Sequence, residues 1–186
     1  MRIIQLSTKP LLSVLICHLP ERKEKLNRLL NEIYQAVKDY PIEIIINDEE
    51  GTTGAKRNKN LETSLAPYFV DWDDDDSIPV YFFDRVFPYI YENKVDSIGY
   101  VMDFKMKTRS MNIYCCSAVT EFKTYNSTIW RPITHTCVSR TALAVKFQDT
   151  SQGEDIFWAK EMIPILKDRP SAFIEEPLYR YNAHYV

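Results

Sequence analysis

The segment YFVDWDDDD, Tyr68 to Asp76, places five carboxylates within six residues directly behind an apolar run. Carboxylates this close repel one another and lose hydration unless a cation or open solvent compensates. Mg2+ and Mn2+ suit such a place, because they take oxygen ligands, often one or two from protein with phosphate oxygens and water completing the shell. In an extended chain Asp73 and Asp75 share one face and Asp74 and Asp76 the other, and spacing does not choose between the pairs. Opposite charge comes from GAKRN, where Lys56 and Arg57 fall in the first turn of an expected helix after the loop GTTG. Arginine suits bidentate phosphate contact, and free N–H groups at a helix start add to it. Acids and bases together suggest a diphosphate held between a cation and a guanidinium. The Gly-x-x-x-x-Gly-Lys-Ser/Thr loop is absent. Asp155, in GED, sits at another expected helix start, where an ionised acid is stabilised and could take a proton from an attacking hydroxyl. Glu154 could share or exchange that role. His18, His135 and His184 have no metal-ligand spacing, and no Ser–His–Asp arrangement can be drawn.

These residues need elements to hold them. LLSVLIC, IEIII and YFVDW read as buried strands over Leu11–Cys17, Ile42–Ile46 and Tyr68–Trp72. Between them, Glu21–Asp39 reads as a helix with Leu26, Leu29, Leu30, Ile33 and Val37 on one face, and Gly54–Ser64 as a shorter one. Strand, helix, strand, helix, strand predicts a parallel, right-handed βαβ arrangement whose ligands bind beyond the carboxyl ends of the strands. His18, Asp48 and the Asp73–Asp76 run all fall there. Further on, the pattern predicts a helix over Val80–Tyr91 broken near Pro88, and a strand over Asp96–Met102. Hairpin material is expected over Met111–Tyr125, with helical turns over Arg140–Lys146. A helix begins at GED with Ile156, Ala159 and Ile163 inward, and a late strand includes Phe173 and Ile174.

Composition narrows the class. The 186 residues, 45% hydrophobic and 26% charged, suit one globular domain over 1–186. A net charge of −3 argues against a nucleic-acid polymer as partner. The 12 tyrosines exceed what a core needs, so some are expected on a binding surface. Cys17, Cys115, Cys116 and Cys137 lack zinc-finger spacing and read as buried, reduced thiols. No run approaches the ~18 apolar residues of a membrane helix, and no leader is visible. The expected location is cytoplasmic, with a peripheral membrane contact left open.

In order along the chain, SVLIC, IIINDEEG, GAKRN, YFVDWDDDD, YNSTIWRPITHTCVSR and GEDIFW resemble the motifs of glycosyltransferase family 2, the inverting, nucleotide-sugar-dependent enzymes of the GT-A fold. The resemblance runs from Leu12 to about Tyr181. It implies an α/β, Rossmann-like, mostly parallel sheet flanked by helices, with a small antiparallel element in the second half. Residues 11–100 would form the nucleotide-sugar half and 101–181 the acceptor side. It also implies divalent-cation-dependent transfer of a sugar from a nucleotide-sugar to a hydroxyl, on a saccharide, lipid-linked or protein acceptor. By position, Asp48 would meet the nucleobase or ribose, and Arg57 with Lys56 the phosphates. Asp73 and Asp75 match the Asp-x-Asp acids, Asp75 as metal ligand and Asp73 in the ribose or metal shell, with Asp76 next. His184 falls where some members place a late metal or phosphate contact. Asp155 matches the general base, with Glu154 beside it. Two other functions fit the same chemistry: a nucleotidyltransferase acting on a sugar phosphate, and a silent nucleotide- or sugar-binding protein of the same fold.

Overall fold

A computed structural model describes residues 1–105, 110–116, 118–125 and 128–182. The strands are β1 (Arg2–Gln5), β2 (Leu12–Cys17), β3 (Ile42–Asn47), β4 (Tyr68–Asp73), β5 (Ser97–Lys105), β6 (Ser110–Cys115), β7 (Lys123–Tyr125), β8 (Thr128–Arg131), β9 (Val138–Arg140) and β10 (Ser171–Asn182). The helices are α1 (Lys23–Val37), α2 (Thr53–Thr63), α3 (Phe82–Glu92) and α4 (Glu154–Leu166). All strands join one sheet in the order β1-β3-β2-β4-β9-β5-β6-β8-β7, with β10 on β5.

The expected parallel unit is present as β3-β2-β4. Its strands read as continuous apolar runs because helices cover both faces. Elsewhere the sheet is mixed rather than mostly parallel. The pairs β1–β3, β4–β9, β5–β9, β5–β6 and β7–β8 are antiparallel, while β6–β8 and β5–β10 are parallel. β1 has no counterpart in the sequence expectations: an exposed four-residue strand carries too short a pattern to register.

Two helices depart from expectation for visible reasons. Pro88 does not break α3, although it removes a backbone donor. Phe82, Phe83, Val86, Phe87 and Ile90 are all buried by that helix, and their burial outweighs a cost of about 3 kcal/mol. In α4 the inner face is Trp158, Ala159, Met162 and Leu166, whereas Ile156 is 53% exposed. Trp158 sets this rotation: it stacks on Phe147 at 5.3 Å and donates from Nε1 to the Val145 carbonyl at 3.1 Å. The expected helical turns after Arg140 shrink to a single 3-10 turn, Thr141–Leu143.

Trp72, which interrupts the acids, belongs to the core. It is fully buried and meets Phe82 edge-on at 5.0 Å and Tyr179 at 6.5 Å. From Val70 to Asp73, β4 thus alternates an apolar side chain on one face with an acid on the other. None of the four cysteines is in a disulfide; Cys115 and Cys137 are buried as expected, Cys17 and Cys116 only half-buried. Among the described residues no helix is long and apolar enough to cross a membrane.

Candidate active site

In register, Cys17, Asn47 and Asp73 end β2, β3 and β4 side by side, so the residues that follow open onto one edge of the sheet. A cavity of about 540 Å3 lies there. Asp73 and Asp75 line it from the acidic turn, Arg57 from α2, and Glu154 and Asp155 from the start of α4. Gly153 precedes them with φ 76°, a left-handed conformation that glycine adopts without penalty. Gly54 lets α4's leading loop approach α2: a Cβ there would sit 1.7 Å from the Gln148 carbonyl oxygen. Residues nearly 100 positions apart thus meet at one wall.

The acids divide among separate partners. Arg57, 2% exposed, donates to Asp71 through Nη1 and to Asp73 through Nη2 at 2.7 Å, with Glu154 Oε1 3.5 Å from its Nε. Its guanidinium therefore meets carboxylates where the resemblance implied phosphates. Burial opposes its charge, but Asp71 and Asp73 hold it firmly protonated. Burial pushes Asp71 up to about 6 against the pull of Arg57. For Asp73 burial also acts upward, yet the Arg57 guanidinium, with His135, carries it below the ordinary carboxylate range. Asp73 Oδ2 lies 3.9 Å from His135 Nε2.

Asp74 accepts from the Leu19 amide at 3.1 Å and bonds His18 Nδ1 at 2.8 Å. Asp75 Oδ2 pairs with Arg22 at 3.0 Å and Lys25 at 3.5 Å. Arg28 reaches the backbone, donating to the Asp75 and Asp76 carbonyls at 2.6 and 3.1 Å. Arg22, Lys25 and Arg28 recur every three residues at the head of α1, so one helix face meets the turn. That spacing was legible in HLPERKEKLNR as a basic stripe. Asp76 lies deeper, bonded to the Tyr179 hydroxyl at 2.6 Å and accepting the Asn182 amide at 2.8 Å. β10 thereby clasps the turn, and nothing local in the sequence pointed to it.

Burial, with Asp73 nearby, pushes Asp76 up to about 8. A carboxyl raised on folding contributes stability that is complete below its unfolded value of about 3.9 and is lost as pH climbs through about 8. Asp76→Asn reproduces the protonated arrangement, its carbonyl accepting from Asn182 and its amide donating to Tyr179. The urea midpoint of the wild type should fall more between pH 5 and pH 9, in round figures, than that of Asp76→Asn. Parallel curves for the two proteins would contradict this.

One sequence candidate lies elsewhere and a second falls outside the described residues. Asp48 does not line this cavity; it is paired with Arg2 at 3.6 Å and with the terminal ammonium at 3.1 Å. His184 lies outside the described residues. Lys56 is buried and donates to the His18 carbonyl at 3.1 Å, lining an adjoining cavity of about 280 Å3 with His18, Asp73 and Asp74. Among the described residues no group of three or more His, Cys, Asp or Glu is placed to hold a metal. Any cation at Asp73 and Asp75 would take most of its ligands from phosphate and water, which suits Mg2+.

No family model and no curated protein matches the sequence. Solved structures do match in fold. The TarS 1–349 fragment of S. aureus in complex with UDP-GlcNAc aligns at TM-score 0.68 and 16% identity over 94% of this chain. The same fragment in complex with UDP gives 0.67 and 16% over 92%. The chain spans 59% and 60% of those two fragments and 36% of a longer TarS chain. At such identities the likeness is one of fold, here an α/β protein whose described residues form a mixed central sheet and four helices.

Proposed function

We propose that the protein is a nucleotide-sugar-dependent glycosyltransferase with a GT-A-like, family-2 arrangement. The observation that carries this is the meeting of Asp73 and Asp75 with Asp155 in one cavity at the carboxyl ends of β2, β3 and β4. Ligands of open α/β sheets bind at that edge. The nucleoside would occupy the adjoining cavity beside His18 and Lys56, and its diphosphate would face Asp73 and Asp75. Asp75, with Asp73, would hold Mn2+ or Mg2+, which would supply charge stabilisation to the departing diphosphate, while Asp76, its oxygens taken by Tyr179 and Asn182, would brace the turn behind them. Lys56 would offer an ammonium beside that path.

Asp155 would deprotonate the acceptor hydroxyl as it attacks the anomeric carbon from the face opposite the diphosphate, giving inversion. Glu154, tied to Arg57, would position the first turn of α4 rather than carry the proton. Arg57 would orient Asp73 by occupying its Oδ1. The TarS complexes with UDP and UDP-GlcNAc support starting from uridine donors. The test is release of nucleoside diphosphate from a panel of nucleotide-sugars in the presence of Mn2+ or Mg2+.

A further inference from the structure

The cavity's remaining lining comes from later strands: Met102 and Phe104 of β5, Ile113 of β6, Arg131 of β8 and Tyr181 of β10. Three arginines reach the cavity, and two are committed to carboxylates, Arg22 to Asp74 and Asp75, Arg57 to Asp71, Asp73 and Glu154. Arg131 forms no ion pair among the described residues; its guanidinium carbon lies 5.1 Å from the centre of the Phe122 ring. Its Nε is buried without a hydrogen-bond partner. Four residues on, His135 is 6% exposed and lines the same cavity; neither ring nitrogen has a hydrogen-bond partner, the nearest carboxylate being Asp73 at 3.9 Å from Nε2. Three of the eight buried side-chain atoms left without a partner among the described residues thus belong to the strip joining β8 to β9. An unmet buried polar group is costly, so orphans gathered on a cavity wall call for a ligand that meets them. Phe104 and Tyr181 stack at 4.9 Å on the same lining and offer the apolar surface against which the face of a sugar ring packs.

We propose that this strip binds an anionic acceptor: a hydroxyl-bearing saccharide carrying a phosphate or a carboxylate. Arg131 takes the anion and His135 a hydroxyl of the same molecule. A guanidinium matches either oxyanion through paired N–H donors, whereas an imidazole offers one donor and one acceptor, the complement of a hydroxyl. The acids of the cavity would repel a second anion unless an uncommitted cation received it, and Arg131 is placed to do so. The word acceptor rests on the function proposed above; the anion specificity does not.

Saturation-transfer NMR with glucose, glucose 6-phosphate and glucuronate tests this directly, each alone and with UDP added. The charged sugars should bind at least tenfold more tightly than glucose, and the stronger of the two names the anion. Arg131→Gln, folded by circular dichroism, should erase that preference, while His135→Ala should weaken all three sugars alike. UDP should not displace them. Equal binding of neutral and charged sugars, or no binding at all, would overturn the proposal. Displacement by UDP would overturn it too, assigning Arg131 to the donor's diphosphate. Failure of UDP itself to bind would count against the donor reading and leave the preference for anions standing or falling by its own measurement.

Discussion

Replacing Asp155 with Asn should lower sugar transfer by about 10²- to 10⁴-fold, the usual worth of a positioned general base. The change is nearly isosteric and leaves the helix start intact, since Asp155 is half-buried at the cavity and Gly153 sets the backbone before it. Donor affinity, measured by titration with the nucleoside diphosphate, should stay within about twofold, because the deleted charge meets the acceptor and not the diphosphate. Glu154→Gln is the internal control. It loosens the contact with Arg57 and should depress Tm while costing transfer less than about tenfold. If Glu154→Gln proved the more damaging to kcat and Asp155→Asn were silent, the two roles would be exchanged.

Arg57→Met should be the most destabilising single change. It leaves Asp71, fully buried, and Glu154, 6% exposed, without the guanidinium that pairs with them. Removing one partner of a buried ion pair costs about 3–5 kcal/mol, on the order of 10 °C in Tm at this chain length. The double variant Arg57→Met/Asp71→Asn should regain part of that loss, since the amide tolerates burial better than the carboxylate. Additive losses in the two single variants would show that the pair is not coupled. The same substitution frees Asp73 Oδ1, so a weaker affinity for the donor and its cation should accompany it.

The first half of the fold was legible in the sequence because its strands are continuous apolar runs and its first helix has a clean inner face. Placing the Asp73–Asp76 run at a strand end followed from that alone. The second half was not, for physical reasons. β10 spans twelve residues, but Pro177 lacks an amide hydrogen and the register shifts around it, so no simple alternation marks the strand. The clasp of Tyr179 and Asn182 on Asp76 joins residues more than 100 positions apart. In α4, the large buried Trp158 overrode the aliphatic periodicity that pointed to Ile156. Arg57 looked like a phosphate ligand because the carboxylates that occupy it lie on another element. Arg131 and His135 lie within the motif YNSTIWRPITHTCVSR, yet nothing local marked them as binding residues, since an orphaned donor is visible only once its neighbours are known.

The central claim is that one cavity binds a nucleotide-sugar beside a cation and activates an acceptor hydroxyl. Its most direct test is a panel of nucleotide-sugars incubated with the protein and Mn2+ or Mg2+, followed by the appearance of nucleoside diphosphate. Release from at least one donor is expected, dependent on the cation and lost in Asp75→Asn. No release from any donor, together with no nucleoside diphosphate bound under either cation, would contradict the account.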